Sequence, residues 1–166
     1  MLPPLDQLKG ELERALPGLA LGIEGSHLLV QPNDLVRVCR WFKESAYALD
    51  YAANLTAVDY LPAAPGAAQA GPPGHIDVIY HLSSMAKKHG PVTIRVTLPR
   101  ATPVVPSLVC VYRGAEFQER EVYDLYGVTF EHHPDLRRIL MWEGFQGHPM
   151  RKDYVPENQD VLEESR

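Results

Sequence analysis

Residues 76–82 read Ile-Asp-Val-Ile-Tyr-His-Leu and residues 92–98 read Val-Thr-Ile-Arg-Val-Thr-Leu. In an extended chain Ile76, Val78, Tyr80 and Leu82, and likewise Val92, Ile94, Val96 and Leu98, fall on one side, while Asp77, His81, Thr93, Arg95 and Thr97 fall on the other. The polar run Lys87-Lys88-His89-Gly90 lies between the two stretches. Alternation with a short polar connection predicts an antiparallel hairpin with one buried face. It argues against a doubly wound parallel sheet, whose strands are apolar throughout.

Outward from this hairpin, the N-terminal side alternates helical and extended patterns. Leu5, Leu8, Leu12, Ala15 and Leu16 recur at helical spacing until Pro17-Gly18. Ile23 and His27–Gln31 suggest a short hairpin around Glu24-Gly25-Ser26. Pro32-Asn33-Asp34 then reads as a cap for a second helix, with Leu35, Val38, Cys39, Phe42 and Ala46 as its apolar stripe. Asn54–Leu61 reads as a strand. The following Pro62–Gly74 contains only Ala, Pro, Gly and Gln, which predicts a mobile loop over about 62–74.

On the C-terminal side, Pro103 and Pro106 open a broken helical region, Ser107–Tyr112 and then Ala115–Tyr126. The latter holds Glu119-Arg120-Glu121-Val122-Tyr123-Asp124-Leu125-Tyr126. Glu116, Arg120 and Asp124 line one face as a charged ladder, and Val122, Leu125 and Tyr126 line another. Gly127 suits a left-handed terminus, and Val128-Thr129-Phe130 a short strand. From His132 to Tyr154 no period is sustained, although Ile139, Leu140, Met141, Trp142 and Phe145 need burial on this chain or on another protein. The reading is an α+β fold: a small mixed or antiparallel sheet with helices packed on one face and an extended, non-periodic C-terminal arm. The boundary falls between a domain over 1–131 and an arm for subunit docking over 132–166.

A chain of 166 residues supports one core without disulfides or metal. Residues 1–100 carry nine basic and nine acidic side chains, and residues 101–166 carry seven and twelve, so the net charge of −5 lies in the last third. That argues against a nucleic-acid module, which would need a basic face to compensate phosphates. Without a membrane-length apolar stretch or a signal or transit pattern at the start, a soluble protein of a reducing compartment is expected. Cys39 and Cys110 are too few for an iron–sulfur cluster or a Cys-rich zinc site and are read as core packing.

The chemistry-bearing residues leave two function classes. His132, His133 and His148, with Glu131, Asp135 and Cys110, assemble on paper into the metal site of a stand-alone hydrolase. Adjacent His132 and His133 nevertheless point to opposite sides of an extended segment. The competing reading makes His133, before Pro134, and His148, before Pro149, hydrogen-bonded anchors of extended turns. Glu119, Glu121 and Asp124 converge poorly for acid–base catalysis, which favours a salt-bridge ladder or partner-facing charges. Nucleotide-binding loops and a nucleophile elbow are missing, so a structural partner is favoured over a catalyst.

Glu119-Arg120-Glu121, Asp124, Leu125-Tyr126, His133, Arg137 and Ile139-Leu140 resemble, in identity and spacing, the signature of the 30-kDa-type (C) subunit of respiratory complex I, the NADH:quinone oxidoreductase. Gly147-His148-Pro149-Met150-Arg151-Lys152-Asp153-Tyr154 is similar to a second motif of that family, with Met150 in place of Leu. The resemblance implies a non-catalytic subunit of a proton-pumping NADH dehydrogenase of the respiratory chain. It would support electron transport from NADH to quinone by assembling with the large quinone-site (D, 49-kDa-type) subunit and neighbouring peripheral-arm subunits. No cofactor is expected on this chain: NADH, flavin, iron–sulfur clusters and quinone belong to partners. The expected place is peripheral, on the cytoplasmic face of a bacterial inner membrane (the matrix or stromal face in an organelle), with membrane contact only through the complex. Related subunits of membrane-bound hydrogenases and of deazaflavin-linked or plastid-type dehydrogenases remain alternatives. Glu119, Arg120, Glu121, Asp124, His133, Arg137 and Arg138 are expected at an interface or in a local network, with Leu125, Tyr126, Ile139, Leu140, His148 and Arg151 completing the motif. Trp142 and Phe145 are expected as buried anchors.

Overall fold

A computed structural model describes residues 2–62 and 74–155. Residues 63–73, nearly all of the loop expected over 62–74, and residues 156–166 of the arm lie outside the described residues. Along the chain come α1 (Leu5–Ala15), β1 (Gly22–Glu24), β2 (His27–Leu29), α2 (Leu35–Glu44), β3 (Tyr51–Tyr60), β4 (His75–Ser84), β5 (His89–Pro99), β6 (Val104–Pro106), α3 (Ala115–Tyr126) and β7 (Thr129–Glu131).

The alternating stretches pair antiparallel as β4 and β5, with Ile76 opposite Leu98, Val78 opposite Val96, Tyr80 opposite Ile94 and Leu82 opposite Val92. These eight side chains are buried. The hairpin is the centre of a five-stranded sheet of order β1-β2-β5-β4-β3, antiparallel except where β2 meets β5. A register shift between Ala52 and Asn54 inserts one residue into β3 and keeps Ala52, Leu55, Ala57 and Asp59 opposite Leu82, Tyr80, Val78 and Ile76. Leu8 and Leu12 of α1, Leu35, Val38, Cys39 and Phe42 of α2, and Ala115 and Val122 of α3 join these residues in one core. The fold is α+β, a mostly antiparallel sheet with three helices among the described residues.

Four local expectations are corrected. Asp34 makes no side-chain cap; Pro32–Asp34 is a 3-10 turn running into α2, and the Asp34 carboxylate instead accepts from Arg37 Nη1 at 3.0 Å. Ala46 lies beyond the end of α2 and is exposed, and the turn after it buries Leu49, whose N–H reaches the Phe42 carbonyl at 3.0 Å. Ser107–Tyr112, expected as a helical stretch opened by Pro103 and Pro106, is a run of bends and turns, and the prolines lie in extended chain. Val104–Pro106 is a strand parallel to β7, held at its ends by Thr129 N–H to Pro103 O (2.9 Å) and Ser107 N–H to Glu131 O (2.9 Å). Proline fits there because a two-stranded sheet is all edge, and an edge does not need its N–H. Cys39 is in the core, where burial pushes its thiol up, but Cys110 is exposed.

α3 stops at Gly127, which adopts φ +72° and donates to the Tyr123 carbonyl at 2.9 Å. The space a side chain would need is filled by the His148 ring. Gly127 is therefore required twice, by its backbone conformation and by the arm packed on it. Gly127→Ala is expected to lower stability by about 2–4 kcal/mol. Urea unfolding at pH 7 measures this, and an unchanged midpoint would contradict the packing of His148 on Gly127.

Candidate functional site

A helix ends with carbonyls that have no partner inside it. In α3 Gly127 satisfies that of Tyr123, and the arm satisfies the next three. Asp124 O accepts from Arg138 Nη1 (3.1 Å) and His148 Nδ1 (3.0 Å), Leu125 O from Met150 N–H (3.1 Å), and Tyr126 O from Arg151 Nε (2.6 Å). Because a carbonyl only accepts, His148 carries its proton on Nδ1 in this bond. Two arginines thus meet the negative end of the helix dipole, the placement that the dipole favours.

The Asp124 side chain binds the arm from the other direction. Its Oδ1 lies 2.6 Å from Arg138 Nη1, and its Oδ2 accepts the consecutive N–H groups of Ile139 (3.0 Å), Leu140 (2.8 Å) and Met141 (2.8 Å). Burial disfavours the Asp124 charge. The Met141 N–H, the Arg138 guanidinium and the Leu140 and Ile139 N–H groups outweigh it and hold the carboxyl below its usual range. One turn earlier, Arg120 donates from Nε to Arg137 O (3.1 Å) and from Nη2 to Arg138 O (3.0 Å). At Lys152 the arm is tied to β3, where buried Asp59 accepts Lys152 N–H at 2.8 Å and Arg100 Nε at 2.6 Å. Arg100 also reaches Asp153 at 2.5 Å.

Glu119 faces inward with no ion pair to an arginine or lysine among the described residues. Its oxygens take Ser107 Oγ–H (2.6 Å) and Leu108 N–H (2.7 Å). His133 Nε2 lies 4.0 Å away, 3.0 Å from the Glu116 carbonyl, while its Nδ1 takes the Asp135 N–H at 3.0 Å. Those two bonds correspond to the neutral Nε2–H tautomer, so His133 brings no compensating charge. Burial pushes the Glu119 carboxyl up to about 7, with the Ser107 and Leu108 bonds acting in the opposite direction.

The structure divides the signature residues into two groups. Glu119, Arg120 and Asp124 are buried, and the His133 side chain is fully covered. Among the described residues Glu116, Arg120 and Asp124 form no salt-bridged ladder with one another, because the arm's backbone occupies Arg120 and Asp124. Leu125, Tyr126, Arg138, His148 and Arg151 are half-buried in the same junction. Glu121, Arg137, Ile139 and Leu140 are exposed. Phe145 is buried, with the Arg138 guanidinium 5.5 Å from its ring centre and Trp142 edge-on at 4.8 Å. Trp142, expected as a buried anchor, is 47% exposed: its ring meets Phe145 only at an edge.

Sequence reading missed Asp59, Arg100 and Ser107. Asp59 carried a signal, since two-residue alternation from Leu55 and Ala57 puts it on the buried face, where an acid needs a cation. Ser107 carried none. His132 is exposed, and among the described residues no three His, Cys, Asp or Glu side chains are arranged to hold a metal ion.

These features define an α+β module whose last helix is capped by its own C-terminal arm. A family described as respiratory-chain NADH dehydrogenase, 30 Kd subunit, matches residues 28–160, and the chain belongs to that family. It is 41% identical over 126 residues to the second C-type subunit of the NADH-quinone oxidoreductase of Rhizobium meliloti, covering 75% of this chain and 63% of the relative, so it spans just under two thirds of that protein. It is 37% identical over 152 residues to the C-type subunit of the NADH-quinone oxidoreductase of Moorella thermoacetica, covering 90% of this chain and 95% of that protein. Among solved structures, Nqo5 in its trypsin-resistant fragment (1-134) aligns with a TM-score of 0.56 at 27% identity, covering 80% of this chain and 98% of that chain. A chain of the membrane-bound sulfane sulfur reductase, an archaeal respiratory membrane complex, shares the fold, with a TM-score of 0.61 at 17% identity over 97% of this chain and 94% of that chain.

Asp124→Asn removes the charge that gathers four donors and is expected to cost about 2–4 kcal/mol. Urea unfolding should register the loss, and amide exchange at residues 139–141 should accelerate; unaltered exchange would exclude the bonds described. Glu119 predicts the opposite pH behaviour. Its folded pKa lies above the unfolded value, so its contribution is complete below about pH 4.5 and is lost as pH rises through about 7. Glu119→Gln should flatten stability between pH 5 and 8 and exceed the parent at pH 8 by about 2 kcal/mol. Asp124 titrates at the acid end, so a thermal-unfolding series across pH separates the two. A Gln variant less stable than the parent at pH 8 would contradict the uncompensated burial.

Proposed function

We propose that this chain is the C-type subunit of the peripheral arm of an NADH:quinone oxidoreductase. It serves that complex as a rigid structural member docked on the large quinone-site subunit. The observation that carries the reading is the family match over residues 28–160, joined by relatives named as C-type subunits of NADH-quinone oxidoreductases. Those names support NADH as electron donor over the hydrogenase-type and deazaflavin-type alternatives. In this reading NADH, flavin, iron–sulfur clusters and quinone are bound by partner subunits. This chain contributes position, with Glu121 offered outward by α3 and Arg137, Ile139, Leu140 and Trp142 by the arm fixed to it. Among the described residues no helix is long and apolar enough to cross a membrane, which supports a peripheral place. We assign that place to the cytoplasmic face.

Arg137→Ala combined with Leu140→Asp tests the docking face, because the two side chains are 71% and 56% exposed and each can change without opening the core. The purified double variant should stay within about 0.5–1 kcal/mol of the parent. In a tagged pull-down from gently solubilised membranes, it should recover several-fold less of the large assembly. Undiminished recovery would remove this face from the interface. A parent chain that brings down no flavin, iron–sulfur or quinone-site subunit from cells containing the complex would overturn the assignment itself.

A further inference from the structure

We infer that the cleft at the end of the arm receives a carboxylate side chain of a neighbouring subunit, and that Arg151 is the residue that takes it. The inference rests on the docking reading above. The cleft has a volume of about 380 Å³ and is lined by His148, Arg151, Asp153, Tyr154 and their neighbours in the arm. His148 is already committed to Asp124 O through Nδ1, and its ring lies against Gly127. Arg151 uses Nε for Tyr126 O, which fixes the guanidinium plane, but among the described residues it forms no ion pair. Its two Nη groups make the fork that matches a carboxylate.

The charges around the cleft favour an incoming anion. Of the charged side chains that line it, Asp153 is already paired with Arg100, which also pairs with Asp59, so among the described residues Arg151 is the lining charge left without an ion-pair partner. Arg151 is half-buried beside Arg100, and the combined burial and like charge lower its hold on its proton. That cation is incompletely compensated. A carboxylate fits better than a phosphate, because Asp153 lines the same cleft and would repel a dianion more strongly than a single charge. The Tyr154 ring and the 74% exposed Val155 supply apolar wall for the stem of an Asp or Glu.

The test measures binding of the purified full chain to a peripheral-arm subcomplex lacking it, at several salt concentrations. Arg151→Gln should weaken binding about thirtyfold or more at low salt, and most of that difference should persist at high salt, because a desolvated charge pair is screened less than an exposed one. Arg151→Lys, which keeps the charge without the fork, should fall between. Since Arg151 also caps α3, phenylglyoxal labelling of the unmodified chain gives a second readout: Arg151 should react in the free chain and be protected in the complex. If the parent binds but Arg151→Gln binds equally, or Arg151 stays reactive in the complex, the carboxylate site is overturned and the docking reading stands. A parent chain that does not bind the subcomplex overturns both.

Discussion

The Asp124 carboxylate is buried, and the donors that make this tolerable belong to a segment 14 to 17 residues further along the chain. A buried carboxylate without partners is disfavoured by several kcal/mol, whereas one charge-assisted bond to a guanidinium and three to backbone N–H groups offset that penalty. The dependence runs both ways. Ile139, Leu140 and Met141 point consecutive N–H groups at one spot only because an anion sits there, and such a concave backbone has little reason to form without it. α3 and the arm therefore form one cooperative unit.

The same logic explains why the signature is spaced as it is. Arg120 and Asp124, one helical turn apart, meet the arm where it runs back along α3, one through carbonyls and the other through N–H groups. Gly127 must be glycine so that the His148 ring can close over the helix end, and Arg151 is three residues beyond, at the last carbonyl. Most of the motif thus builds the chain's own architecture. Its outward members, Glu121, Arg137, Ile139 and Leu140, have their orientation set by neighbours whose side chains face in.

How much of this was legible follows from where each signal resides. The β4–β5 hairpin declares itself because alternation is local, and Gly127 because a helix terminator is local. The buried charged side of α3 was not legible from the helix alone, since Arg120 and Asp124 look like solvent-facing residues until a second segment supplies their partners. Sequence reading consequently offered a charged ladder, an interface or a local network for them without choosing, and named Trp142 and Phe145 alike as buried anchors, of which Phe145 is buried and Trp142 is not. β6 was hidden by its flanking prolines, which suit a two-stranded edge as well as a helix start. For Asp59 the alternation of β3 gives burial, but not the partner: the arm residue that donates to it, Lys152, is 93 positions away.

Glu119 and Asp124 lie on one helix, both fully buried, yet their carboxyls shift in opposite directions. The difference lies in the donors. Asp124 has a guanidinium and three N–H groups, while Glu119 has one hydroxyl, one N–H and an uncharged imidazole nearby. The charged acid is the one that fixes the arm, and the weakly supported acid faces the turn at Ser107–Leu108 inside the domain. Residues 132–155, already fixed by their own chain, would enter the proposed interface with much of their ordering entropy removed, so exposed groups such as Leu140 and Arg137 are presented rather than recruited. For a subunit whose proposed role is to hold neighbours in position, the rigid element must be the one that faces them. Here that rigidity comes from two buried carboxylates, Asp124 and Asp59, and from the bonds that the arm makes to the end of α3.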